Sequence, residues 1–95
     1  MVSEPTAPDA AQLDARLRES LPVIELAVRD DSHLHAGHAG AREGRHFHVR
    51  LISPAFAGLG RVARHRLVYD RLSQWMPRGI HALALETLTP EEAAR

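Results

Sequence analysis

Three histidines fall within the six residues "HLHAGH", His33 to His38, and two more follow at His46 and His48 in "GRHFHV". Imidazole is a good ligand for zinc, copper, nickel and iron, so the first question is whether these residues form a metal centre. The chain has seven His and no Cys. That excludes disulfides and any site built from the chain's own thiolates. His33, His35 and His38 lie in a Gly- and Ala-rich stretch without periodicity, so their spacing alone fixes no geometry. Neither His-x-His nor His-x-x-His is on a helix here, which separates the pattern from the metalloprotease arrangement. On local signal alone, a physiological metal site competes with a polar loop that binds metal adventitiously.

The other histidines read differently. His46 and His48 alternate with Phe47 and Val49, which puts both imidazoles on the polar face of a strand. His65 falls within the apolar arc of a helix, where a core histidine satisfied by one hydrogen bond is expected. His81 opens the last strand, just after Pro77 and Gly79, at a place where an imidazole can be fixed and still reach solvent.

No catalytic constellation emerges, and a non-enzymatic protein is expected. Ser20, Ser32, Ser53 and Ser73 lack the Gly-flanked strained turn of hydrolases. "GLG" at Gly58–Gly60 matches neither dinucleotide nor P-loop spacing. Arg61, Arg64, His65, Arg66 and Arg71 gather on one helix after a Gly-containing turn, a candidate nucleic-acid surface. Against it, the segment before that helix reads as a strand, and twelve basic residues balance twelve acidic ones. A chain with no net charge exerts no global pull on DNA or an anionic membrane. The bland alternative is a solvated helix face with Arg stems packed along its rim.

These side chains need a scaffold. Ninety-five residues, 44% hydrophobic and 25% charged, suit one small domain, expected at residues 8–95 behind a flexible tail at 1–7. No apolar run approaches a membrane span and the first residues carry no secretory pattern, so a cytoplasmic protein without membrane contact is the default expectation. Thr6 is a candidate N-cap for a first helix whose Leu13, Leu17 and Leu21 form a stripe that Pro22 ends. "VIELAVRD" alternates as a strand, with Ile24, Leu26 and Val28 facing inward. The long loop follows, then a strand "HFHVRLIS" with Phe47, Val49 and Leu51 inward. "RVARHRLVYDRLSQWM" is a helix with Val62, Val68, Tyr69, Leu72, Trp75 and Met76 in one arc. "IHALALET" is a third strand, and "TPEE" starts a short helix capped by Thr89 with Pro90 first and Glu92 third. The order α-β-β-α-β-α gives an α+β domain, a three-stranded sheet with its helices on one face.

Three separated stretches then resemble the BolA family. "FAGLGRVARHRLVY" (Phe56–Tyr69) is similar to its signature of Phe-x-Gly, Val, Arg-His-Arg and Val-Tyr. "GIHALALETLTPEE" resembles its C-terminal segment, and "DDSHLHAGHAG" the loop of its His-containing branch. The similarity runs from about Leu13 to Glu92. It implies a fold like a type II KH domain with a mixed sheet, lacking the Gly-x-x-Gly nucleotide clamp.

The resemblance also implies partnership with a monothiol glutaredoxin and a bridging [2Fe–2S] cluster, in iron–sulfur handling or iron and redox regulation. The glutaredoxin and glutathione would supply thiolates and this chain histidine. No cluster is expected to bind tightly to the chain alone, which is expected to be a monomer or weak homodimer. The family's C-terminal ligand matches His81. The loop ligand matches His35 best, with His38 and His33 as alternates; other members carry Cys in this loop. Two His can replace two Cys on one iron, and because neutral imidazole is the ligand, binding should weaken below the ordinary His pKa of about 6.5. Some members are described as DNA-binding regulators, for which Arg64–His65–Arg66 would be the contact.

Overall fold

A computed structural model describes residues 8–31, 45–76 and 80–95, with Arg45 and His81 described by backbone alone. The elements are α1 (Ala10–Ser20), β1 (Glu25–Asp30), β2 (Arg45–Ile52), α2 (Arg61–Arg71), β3 (Ile80–Leu88) and α3 (Pro90–Ala93), with 3-10 turns at Pro54–Phe56 and Ser73–Trp75. The order is the one the sequence pattern requires. The sheet runs β1-β2-β3. β1 and β2 are antiparallel, and β2 and β3 are parallel. The parallel pair is possible because the 3-10 turn and α2 carry the chain back to the same end of the sheet.

α1 begins at Asp9, not at Thr6. Asp9 accepts from the backbone N–H of Gln12 and Gln12 accepts from that of Asp9, both at 2.8 Å. This reciprocal box satisfies two donors at the helix start and places it later than expected. Leu13 and Leu17 are fully buried and Leu21 nearly so. They meet Leu26, Phe47, Val49 and Leu51 of the sheet, Val68 from α2 and Leu72 just after it in one cluster. α1 and α2 therefore cover one sheet face, and each Leu removed from water there contributes roughly 1.5–3 kcal/mol.

Three apolar positions depart from the expected pattern. Ile24 precedes β1 and is 64% exposed, because the pleat that points Leu26 inward begins only at Glu25. Val62 is 63% exposed and Tyr69 37%. The buried stripe of α2 runs through Arg64, Leu67 and Val68 and continues to Leu72 at its C-cap, rotated away from the predicted arc. The α-helix also ends at Arg71; Trp75 and Met76 reach the core from the 3-10 turn and its end.

Candidate functional site

Histidines gather where β1 ends and β2 and β3 begin. The Asp31 N–H donates to the His46 carbonyl at 2.7 Å, so the two ends of the 32–44 segment are held side by side. Arg45 pairs with Ile80, but His46 pairs with Ala82. His81 is the extra residue of a bulge, a device that re-aims a strand locally and is rare in parallel pairs. It is the second residue of β3, not the first, and it lies beside the point where the chain re-enters the sheet. His46 and His48 are half-buried on the face away from the helices, with Arg29 opposite His48 on β1 and Ala84 beside it on β3. Arg29 grips both oxygens of Asp31 at 2.7 and 3.1 Å. That hydrogen bond, followed by the carboxylate's charge, raises the guanidinium pKa.

His33, His35 and His38 lie outside the described residues. Among the described residues, no three His, Asp or Glu side chains converge to hold a metal ion. A [2Fe–2S] unit held by this chain would need thiolates from elsewhere, because the chain has seven His and no Cys. The chain offers imidazoles without thiolates, and two imidazoles suffice for one iron of a [2Fe–2S] unit.

The second region is α2 and its approach. Ser53, fully buried, accepts from the Ala55 N–H at 3.0 Å and starts the 3-10 turn. Phe56 is fully buried behind it. Gly58 has φ +78, a left-handed conformation that glycine adopts at no steric cost. α2 then starts at Gly60 without a side-chain cap. This approach is a strand followed by a short 3-10 turn, so no helix-turn-helix pair forms.

The five candidate nucleic-acid residues separate into two groups. Arg64 is 12% exposed. It donates to the Leu59 carbonyl at 2.8 Å, to the Thr87 carbonyl at 3.1 Å and to both oxygens of Glu92 at 2.6 and 3.1 Å. Its guanidinium also lies 5.9 Å from the Phe56 ring centre, within cation–π range. Arg64 therefore ties α2 to β3 and α3, and every one of these contacts is internal. Glu92 also closes the α3 capping box, accepting from the Thr89 N–H at 2.8 Å. The Arg64 hydrogen bond first, then the Thr89 amide, hold its carboxyl at a pKa of about 2. Arg71 pairs with Asp70, and its carbonyl accepts from Arg16 at 2.9 Å.

Arg61 and Arg66 are exposed and make no hydrogen bond or ion pair with described residues. Five residues apart, they diverge by about 140° around the helix. His65 is half-buried, not a core histidine. It lines a groove of about 520 Å³ between Gly60, Arg61 and Arg64 on one side and Leu85–Leu88 and Glu92 on the other. Sequence reasoning missed this groove and the Arg64 clasp. The only signal for either was the Thr89–Glu92 capping pattern, which does not reveal the partner of Glu92.

The family model described as BolA-like protein matches residues 17–92. The chain is 39% identical over 88 residues to the chloroplastic protein BOLA1 of Arabidopsis thaliana, covering 88% of this chain and 55% of that protein. It is 36% identical over 81 residues to the DNA-binding transcriptional regulator BolA of Escherichia coli, covering 85% and 75%. The solved BolA domain of SufE1 from Arabidopsis thaliana superposes with a TM-score of 0.78 at 42% identity, covering 87% of this chain and 93% of that one. The chain belongs to the BolA-like family. It spans about half the length of BOLA1 and about a fifth, 22%, of the SufE-like protein 1 that it also matches. Among the described residues no helix is long and apolar enough to cross a membrane.

Proposed function

We propose that this chain is a non-enzymatic adaptor that binds a monothiol glutaredoxin and co-ligates a bridging [2Fe–2S] cluster. His81 would be one ligand, and His35 the other, with His38 and His33 as alternates. Thiolates would come from the glutaredoxin and glutathione. The observation that carries the reading is the register at the end of the sheet. The bulge at His81 lies next to Arg45 and His46, and the Asp31–His46 bond brings the start of the 32–44 segment to the same place. His35 is four residues beyond Asp31, a covalent reach of up to about 14 Å. An imidazole pair drawn from distant parts of the chain can therefore meet one iron there. The cluster would supply the iron and sulfide; the chain's own residues would orient two neutral imidazoles from a rigid strand and from the segment beside it.

The test is to mix the chain with a cluster-loaded monothiol glutaredoxin and record visible absorption and circular dichroism. The wild-type chain should change both spectra. His81→Ala should abolish the change, and His35→Ala should reduce it. An unaltered response from His81→Ala would refute the assignment.

A second reading is DNA binding. It is favoured by the guanidiniums of Arg61 and Arg66, which have no partner among the described residues, and by the name of the Escherichia coli relative. With two phosphate contacts, log affinity should fall with log salt at a slope of about −2. No binding at low salt would remove this reading.

A further inference from the structure

The groove under α2 runs along the outer edge of β3. The Leu88 carbonyl accepts from the Ser53 N–H at 2.9 Å, on the β2 side. By strand alternation, Leu83, Leu85 and Thr87 turn their backbone groups away from β2. α2 occupies two of these groups: the Tyr69 hydroxyl donates to the Leu83 carbonyl at 3.4 Å, and Arg64 donates to the Thr87 carbonyl. The N–H groups of Leu83, Leu85 and Thr87 and the Leu85 carbonyl have no partner among the described residues.

The polar balance of the groove is one-sided. Apart from the Leu85 carbonyl, its acceptors are engaged: Glu92 and the Leu59 and Thr87 carbonyls by Arg64, and Glu86 by Arg50 at 3.4 Å. Its remaining donors are not, since among the described residues the exposed Arg61 has no partner and the edge amides are open. Leu59, Leu85 and Leu88 supply apolar wall between them.

We propose that this groove receives an extended, carboxylate-bearing segment of a partner protein, which adds to β3 as a fourth strand. Leu85 turns both its N–H and its C=O to the open side. A peptide strand satisfies that pair, whereas a phosphodiester, which has no donor, leaves the carbonyl empty. Strand addition takes its affinity from main-chain bonds and its selectivity from side-chain contacts. Here the contacts are Arg61 and His65 facing an acidic side chain. The occupied Leu83 and Thr87 carbonyls keep the added strand short and set its position at Leu85. Residues 85–88 lie roughly 13 to 23 Å along the strand from His81, so this surface is separate from the proposed cluster site and does not rest on it.

The probe is acetyl-Thr-Glu-Val-Asp-Thr-amide, titrated into the full chain by two-dimensional amide NMR. Shifts and slowed hydrogen exchange at the Leu85 and Thr87 amides are expected. Arg61→Gln should weaken the peptide about two- to fivefold, the scale of one exposed ion pair, and a peptide with Gln and Asn in place of its Glu and Asp should lose a similar factor. Methylating the central peptide nitrogens should abolish binding. Three outcomes would overturn the proposal. One is no shift at millimolar peptide. Another is a shift at Arg61 and His65 without slowed exchange at Leu85, the mark of a plain anion contact. The third is occupation of the groove by a deoxythymidine octamer in preference to the peptide.

Discussion

Replacing Glu92 with Gln isolates the clasp between α2, β3 and α3. The carboxylate accepts two hydrogen bonds from Arg64 and one from the Thr89 amide. These lower its pKa from 4.5 to about 2. A carboxyl depressed in the folded state stabilises the fold fully above its unfolded value, and the contribution is lost as pH falls through the folded value. At pH 4.5 half of unfolded molecules carry the proton on Glu92, against roughly one folded molecule in 300. The wild type should therefore melt above Glu92→Gln at pH 6 by a constant margin. The margin should shrink below pH 4.5 and close near pH 2. Differential scanning calorimetry of the two proteins side by side cancels the other carboxylates, which both share. Carbon-detected NMR of the Glu92 carboxyl should give a midpoint near 2, and Arg64→Gln should return it towards 4.5. A Glu92 midpoint above 4 in the wild type, or a melting margin unchanged from pH 6 to pH 2, would refute the clasp.

The rotation of α2 predicts opposite costs for two apolar residues. Leu72→Ala should cost about 2–5 kcal/mol in urea unfolding, as a buried leucine does, while Val62→Ser should stay within about 0.5 kcal/mol. Ser53→Ala removes the buried cap of the 3-10 turn and should cost about 1 kcal/mol by the same measurement. Phe56→Ala, which empties the position under Arg64, should cost about 3–5 kcal/mol. Cluster sharing with glutaredoxin should fall off as pH drops below about 6.5, because protonated imidazole cannot ligate; visible spectra unchanged down to pH 5.5 would contradict histidine ligation.

Element order was legible in the sequence because short-range patterns carry it. Alternation at Phe47, Val49 and Leu51 and the leucine stripe of α1 report burial directly, and Thr89-Pro90-x-Glu92 reports a helix start. The orientation of α2 was not legible. An arc of apolar residues predicts the buried face only when polar side chains stay outside. Arg64 lies inside because three separate parts of the chain supply its acceptors, and it displaces Val62 to the surface. His65 moved with it from an expected core position to the wall of a groove. The bulge at His81 was equally hidden, since an extra residue in a parallel pair depends on where another strand starts. His33, His35 and His38 lie outside the described residues, so the choice among them rests on family resemblance.

The bond that joins Asp31 to His46 also separates two kinds of change. Because the 2.7 Å bond between the Asp31 N–H and the His46 carbonyl closes the β1–β2 ladder before the 32–44 segment, altering the length of that segment should leave the pairing of β1 with β2 in place. Doubling the length of a flexible connection costs only about 0.6 kcal/mol in closure entropy. Insertions, deletions or exchanged donor atoms within the 32–44 segment can therefore accumulate with little penalty to folding, while His81 stays fixed by the sheet. The domain thus holds one half of its proposed metal chemistry constant and leaves the other half open to variation.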